Sequence, residues 1–214
     1  MHIDPRLLTL TQWLSPAYPV GSFAFSHGLE SAIANGWVSD EATLKAWLQD
    51  ILTHGTGKSD AAWIHMAYNS TASDLDDLNA QAIAFAPSKE RLRESIRQGA
   101  AFARVTSEVW QIDLPNLMLP IALGRAARLV DLDPTATATL YLHAFLSNLT
   151  SAAQRLMPLG QTGAQRVLAQ LTPDCTTIAQ AATELTPDDI TSSAFLSDIA
   201  AMQHETLEPR LFQS

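Results

Sequence analysis

Apolar residues recur along this chain at steps of three and four, and runs alternating at period two are missing. In the stretch SDEATLKAWLQDIL, positions Leu44, Trp47, Leu48, Ile51 and Leu52 follow i, i+3, i+4, i+7 and i+8, which places them on one face of a helix. Ser39 or Asp40 can cap the exposed amides of that helix, and the glycines at 55 and 57 end it. DAAWIHMAYN (60–69) reads as the next helix. A Ser/Asp-rich link at 70–77 then leads into LNAQAIAFA, which Pro87 stops. Further helices are predicted near 117–131, 134–157 (Asp133 as cap, Pro134 in the first turn), 161–171, 176–185 and 190–205. The pattern predicts an all-α, single-domain bundle of roughly eight to ten helices with no sheet.

The longest amphipathic segment runs from Ser88 to Ile112. Leu92, Ile96, Gly99, Ala103, Thr106 and Trp110 form a packing seam, with Phe102, Val105, Val109 and Ile112 as a second stripe beside it. Glycine in a helix interior costs about 1 kcal/mol relative to alanine, so Gly99 predicts the close approach of another backbone. Arg93, Arg97 and Arg104, at steps of four and seven, share one stripe of the same helix. That stripe reads either as a solvated face or as a contact for an acidic partner.

Composition narrows the function classes. A net charge of -9 over 214 residues disfavours a nucleic-acid surface, which would show clustered lysine and arginine. A single cysteine, Cys175, leaves no internal disulfide framework, and residues 1–12 lack the layout of a secretory signal, so a cytoplasmic protein is expected. Residues 135–154 carry no charge over a length that suits a bilayer, but their Thr, Ser, His143, Asn148 and Gln154 content predicts a buried bundle helix instead.

Candidate chemistry is sparse. Gly57-Lys58-Ser59 ends like a phosphate-binding loop, yet the first glycine of that motif is replaced by Leu52, and the preceding residues are helical where a strand is required. None of the 6 histidines (His2, His27, His54, His65, His143, His204) has a partner at ligand spacing on a helix, so no metal site is predicted. Ser26 and His27 are neighbours whose side chains diverge, and Asp76-Asp77 and Asp188-Asp189 suit turns or helix starts, so no catalytic residue is assigned. The segment that resists a bland reading is SPAYPVGSFAFSHGLESAIANGWV, residues 15–38. There Pro19 and Gly21 set a turn, Ser22 can cap the segment after it, Phe23, Phe25 and Leu29 are apolar anchors, and Ser26, Gly28 and Ser31 make a small-residue face.

At these residues the chain resembles the UreF family of urease accessory proteins, whose N-terminal signature reads S-x-x-x-P-[VI]-G-[GS]-[FY]-x-[FWY]-S-x-G-L-E. RLRESIRQGAAFARV looks like the family's Arg-rich helix, SAAQRLMPLGQTGAQRVL like its Pro-Leu-Gly-Gln segment, and HETLEPRLFQS like its H-E-T-x-x-x-R-L-F-x-S terminus. Leu207-Glu208-Pro209 departs from the Gln-Tyr-Ser of many members, which puts any contact made by that tyrosine in doubt.

The resemblance implies a non-enzymatic chaperone for nickel incorporation into apo-urease, bridging UreD (also called UreH) and the GTPase UreG. It also implies a homodimer with no cofactor of its own, nickel and GTP being handled by the complex. On this reading residues 1–206 form the helical domain, and the tail 207–214 orders on partner binding, Arg210, Leu211 and Phe212 docking UreD. Arg155 and Gln161 would face UreG. Pro19, Gly21, Ser22, Phe23, Ser26 and Glu30 would shape the dimer or the same partner surface, and Arg97, His204 and Glu205 complete the partner-binding set. An alternative makes Arg155, or an arginine of the 93/97/104 stripe, a finger that activates GTP hydrolysis by UreG.

Overall fold

The computed structural model describes residues 4–214; His2 lies outside them. The described chain is helical throughout, with no strand among the described residues. Its α-helices are α1 (Pro5–Trp13), α2 (Leu29–Ala34), α3 (Glu41–His54), α4 (Thr56–Asn69), α5 (Leu75–Ala84), α6 (Lys89–Trp110), α7 (Leu119–Leu129), α8 (Pro134–Leu156), α9 (Gln161–Ala181) and α10 (Phe195–His204). The all-α expectation therefore holds. So do the capping expectations at Asp40, which accepts from the Thr43 amide to open α3, and at Asp133, which accepts from Ala136 to open α8; Ser88, accepting from the Arg91 amide to open α6, is a further cap.

α4 is the centre of the bundle. Ala61, Ala62, Trp63, Ile64 and Ala67 are buried along it, and α3, α5, α7, α8 and α9 all pack against it. Its small residues allow several neighbours to approach at once, which an amphipathic surface helix could not do. α8 contains the uncharged stretch 135–154, and no described helix is long and apolar enough to cross a membrane.

Several boundaries differ from the sequence reading; α5, for one, begins at Leu75, inside the link expected at 70–77. Only Gly55 separates α3 from α4, and Gly57 lies within the first turn of α4. The helices expected at 161–171 and 176–185 are one helix, α9, running through Pro173. Pro173 is exposed, so water can serve the carbonyl that loses its amide partner, and the helix need not end. The region expected as a helix from 190 becomes helical only at Phe195.

The seam on α6 also differs. Its C-terminal half is as expected, with Phe102, Ala103 and Thr106 buried, but Ile96 is 43% and Val109 58% exposed. In the N-terminal half the inward positions are Glu90, Arg91, Glu94 and Gln98. Charged side chains displace the apolar stripe there because buried partners for them exist on other elements.

The close approach expected at Gly99 is present. A Cβ on this residue would collide with the Leu117 carbonyl oxygen and lie 2.8 Å from the Leu119 nitrogen and 2.9 Å from the Met118 carbonyl carbon. Gly99→Ala should therefore destabilise the fold by about 2 kcal/mol or more through overpacking, although helix propensity alone would favour it. Urea unfolding measures the sign directly.

Candidate functional site: a clamped C-terminal tail

The turn region 15–28 and the last residues of the chain meet at one corner of the bundle. Gly21, with φ 75°, leads into a short 3-10 turn over Ser22–Ala24. Ser22 is the first residue of that turn and makes no capping bond, contrary to the sequence reading. The chain then passes through two residues of positive φ, His27 (59°) and Gly28 (76°), before entering α2. A Cβ at Gly28 would lie 2.7 Å from the Ala201 nitrogen, so the chain at Gly28 packs directly on α10, and α2 follows it there. That closeness brings Glu30 of α2 beside His204 of α10.

His204 is fully buried between two carboxylates. Its Nε2 lies 3.1 Å from Glu30 Oε2, and its Nδ1 lies 2.7 Å from Glu90 Oε2. Each ring nitrogen therefore has a carboxylate oxygen within hydrogen-bond distance. The same carboxylates hold the tail. Glu30 accepts from the backbone amides of Leu211 (2.6 Å) and Phe212 (2.9 Å), and Glu90 accepts from Arg210 Nη1 (2.6 Å). One turn along α6, Glu94 accepts from the Ser214 hydroxyl at 2.7 Å and pairs with Arg91.

The tail is also joined to the turn region. The Ser26 amide donates to the Ser214 carbonyl oxygen at 2.8 Å, the Ser26 hydroxyl donates to the same oxygen, and the Gln213 amide donates to Ala24 at 2.9 Å. Arg155, in the last turn of α8, places its guanidinium 4.4 Å from the centre of the Phe212 ring and donates to the Phe23 carbonyl at 3.1 Å. Phe212 is buried and Ser214 is 1% exposed. In the structure of the chain by itself, the tail expected to order on partner binding is seated against the bundle, with its amides on the Glu30 carboxylate.

The candidate residues thus divide into two groups. Ser26, Glu30, His204 and Phe212 are buried and hold the corner together. Pro19, Phe23, Arg97, Arg155, Gln161, Arg210 and Leu211 face solvent, while Gly21, Ser22 and Glu205 are half-buried. Arg97 Nη1 donates to Gln213 Oε1 at 2.9 Å, and Glu205 accepts from the Lys89 amide at 2.9 Å. Arg155 and Gln161 flank the turn between α8 and α9. Glu90, Arg91 and Glu94 were missed in the sequence, where their one signal was polar residues at 90, 94 and 98 in an otherwise amphipathic helix.

Arg91 and Glu94 also line a cavity of about 620 Å³ together with Trp63, Phe102, Asp60 and Tyr141. Tyr141 donates to Asp60 Oδ2 at 2.6 Å. Burial pushes the Asp60 carboxyl up to about 6, against the lowering effects of the Tyr141 bond and the Arg91 charge. Burial likewise pulls Arg91 down to about 10. His27, buried against Phe145, is held well below the usual histidine range by burial and by Arg91. No group of three or more His, Cys, Asp or Glu positioned to hold a metal ion occurs among the described residues.

A family model described as UreF matches residues 38–172. The chain is 48% identical over 212 residues to the urease accessory protein UreF of Ruegeria pomeroyi, covering 99% of this chain and 98% of that one. It is 51% identical over 208 residues to the protein of the same name from Ruegeria sp. strain TM1040, covering 97% of each. This chain belongs to the UreF family. Its UreF relatives are named as accessory proteins and not as enzymes, so the clamp is to be understood as a feature of a UreF-type helical bundle.

Two outcomes follow from the geometry. Replacing His204 by Gln takes away the ring that bridges two buried carboxylates, Glu30 and Glu90, at a cost of about 3 kcal/mol or more. Hydrogen exchange at the Leu211 and Phe212 amides should then accelerate at least about tenfold, with α4 amides unchanged. Asp60 binds its proton at about 6 when folded and near 3.8 when unfolded. The folded state therefore takes up a proton as pH falls through that window, and acidification from 7 towards 4 favours folding at this site. Asp60→Asn should abolish this contribution, so the stability difference between the two proteins should change by about 2–3 kcal/mol between pH 7 and pH 4.

Proposed function

We propose that this chain is a non-catalytic assembly factor that helps incorporate nickel into apo-urease, bridging UreD (UreH) and the GTPase UreG in the cytoplasm as a homodimer. Nickel and GTP are handled by the complex, and the chain has no cofactor of its own. The observation that carries the reading is the docking face around the clamped tail. Leu211 is 56% exposed and Phe23 70%, while the outer side of α10 shows Phe195 (69%), Leu196 (55%), Ile199 (42%) and Met202 (51%). Large apolar side chains clustered on one helix face are a surface built for covering.

UreD is assigned to the tail and α10. UreG is assigned to the turn between α8 and α9, at Arg155 and Gln161. The finger alternative needs a guanidinium free to reach a nucleotide, whereas Arg155 is engaged with Phe212 and the Phe23 carbonyl. That engagement counts against Arg155 as the finger; on the stripe Arg97 is bonded to Gln213, and Arg93 and Arg104 are the residues left to that alternative.

Co-expression of apo-urease, UreD and UreG with nickel should give active urease only when this chain is present. Leu211→Glu, at an exposed position that leaves the clamp intact, should reduce capture of UreD by about tenfold or more. Unchanged capture would remove the tail from the docking surface, and background activity with the full set of proteins would remove the assembly role.

A further inference from the structure

The outer face of α6 carries Lys89, Arg93, Arg97 and Arg104, all exposed. At about 100° per residue they fall within an arc of about 80°. Ile96, 43% exposed, and the half-buried Ala100 lie on the same face. Among the described residues none of the four cations forms an ion pair, although the chain has 22 acidic residues against 13 basic ones. Even Glu108, one turn beyond Arg104, makes no ion pair with it. The acids that α6 does carry near its start, Glu90 and Glu94, are turned inward onto His204, Arg210, Arg91 and Ser214.

This arrangement disfavours the helix that bears it. Lys89 with Arg93, and Arg93 with Arg97, are like-charged i,i+4 pairs, each costing about 0.2–0.5 kcal/mol. Lys89 also sits at the positive end of the helix dipole. A face that only had to stay solvated would gain from interleaved acids, and here there are none between residues 89 and 104 on the outer side.

We infer that this face is the electrostatic rim of a docking surface for a protein helix bearing carboxylates one turn apart, on the same partner that covers the tail and α10. The inference rests on the docking reading above. Guanidinium forks suit carboxylates, and the spacing of the cations matches the pitch of an acidic helix laid along α6, with Ile96 and Ala100 as its apolar footing. The face is continuous with the rest of the surface. Arg97 is bonded to Gln213 of the tail, and the Lys89 amide to Glu205 just beyond α10. An apolar centre on α10 and Leu211 with a charged border on α6 has the anatomy of a protein–protein interface. A nucleic acid is a poor occupant for a chain of net charge -9.

The test uses the full chain co-expressed with tagged UreD, comparing wild type with a triple variant (Arg93→Glu, Arg97→Glu, Arg104→Glu) and an Arg→Lys triple at the same positions. Thermal melts establish that both variants fold. Wild-type affinity should fall at least about tenfold between about 50 and about 500 mM salt. The Glu triple should bind about thirtyfold more weakly at low salt with little remaining salt dependence, and the Lys triple, which keeps the charge but loses the forks, should fall between it and wild type with the salt dependence retained.

If wild type captures UreD and the Glu triple captures it equally, with the same salt dependence, the face is only solvated and this inference falls while the docking reading stands. If wild type fails to capture UreD, both fall. If the Glu triple loses self-association in sedimentation but keeps UreD, a second copy occupies the face and the inference is overturned.

Discussion

Burying a carboxylate is costly unless its lone pairs are met by donors, and this fold buries Glu30, Glu90 and Glu94 in one corner. Their donors come from far apart in the chain: His204 from α10, Arg91 from α6, and Arg210, the Leu211 and Phe212 amides and the Ser214 hydroxyl from the tail. The corner is therefore cooperative. Lifting the tail would strip Glu30 of two amide bonds and Glu90 of a guanidinium at once, leaving charge in a region that water does not reach. Through Arg155 and the Ser26 bonds the same tail fixes the turn that presents Phe23.

The backbone that makes this possible is strained at one point. His27 holds φ 59°, which a non-glycine residue rarely adopts, and its buried Nδ1 has no hydrogen-bond partner. Its neighbour Gly28 must be glycine because α2 lies against the backbone of α10 at Ala201. Two successive left-handed residues turn the chain sharply enough for α2 to begin flush against α10, and only that placement lets Glu30 reach His204. The strain is offset by the bonds of Ser26 to Ser214 and of His27 Nε2 to Thr56.

Helix content and most helix limits were legible because they depend on local patterns: the caps at Asp40 and Asp133, and the tight packing expected at Gly99, are all present. Pro173 misled because a proline break is a local rule, and exposure on the outer side of α9 relaxes it. The clamp was not legible from residue patterns. Glu90 and Glu94 look like ordinary surface acids of an amphipathic helix, and their partners lie more than a hundred positions away. The family resemblance marked His204, Glu30 and Phe212 as important but gave their roles as contacts with other proteins. In the structure of the single chain they are buried and hold its own tail.

This division separates two requirements that a docking surface must satisfy together. An exposed apolar anchor binds well only if it is held in place beforehand, since ordering it on contact subtracts from the binding energy. Leu211 and Phe23 are exposed, yet the residues on either side of Leu211 are fixed by buried charge, and Phe23 is tied through its own carbonyl to Arg155. The polar clamp thus supplies the rigidity that the apolar anchors lack. Apolar packing alone would serve less well, because it is non-directional and tolerates a tail shifted along its groove. Contacts to particular side chains do not: a one-residue slip would take Arg210 off Glu90, the Phe212 ring off Arg155 and the Ser214 hydroxyl off Glu94.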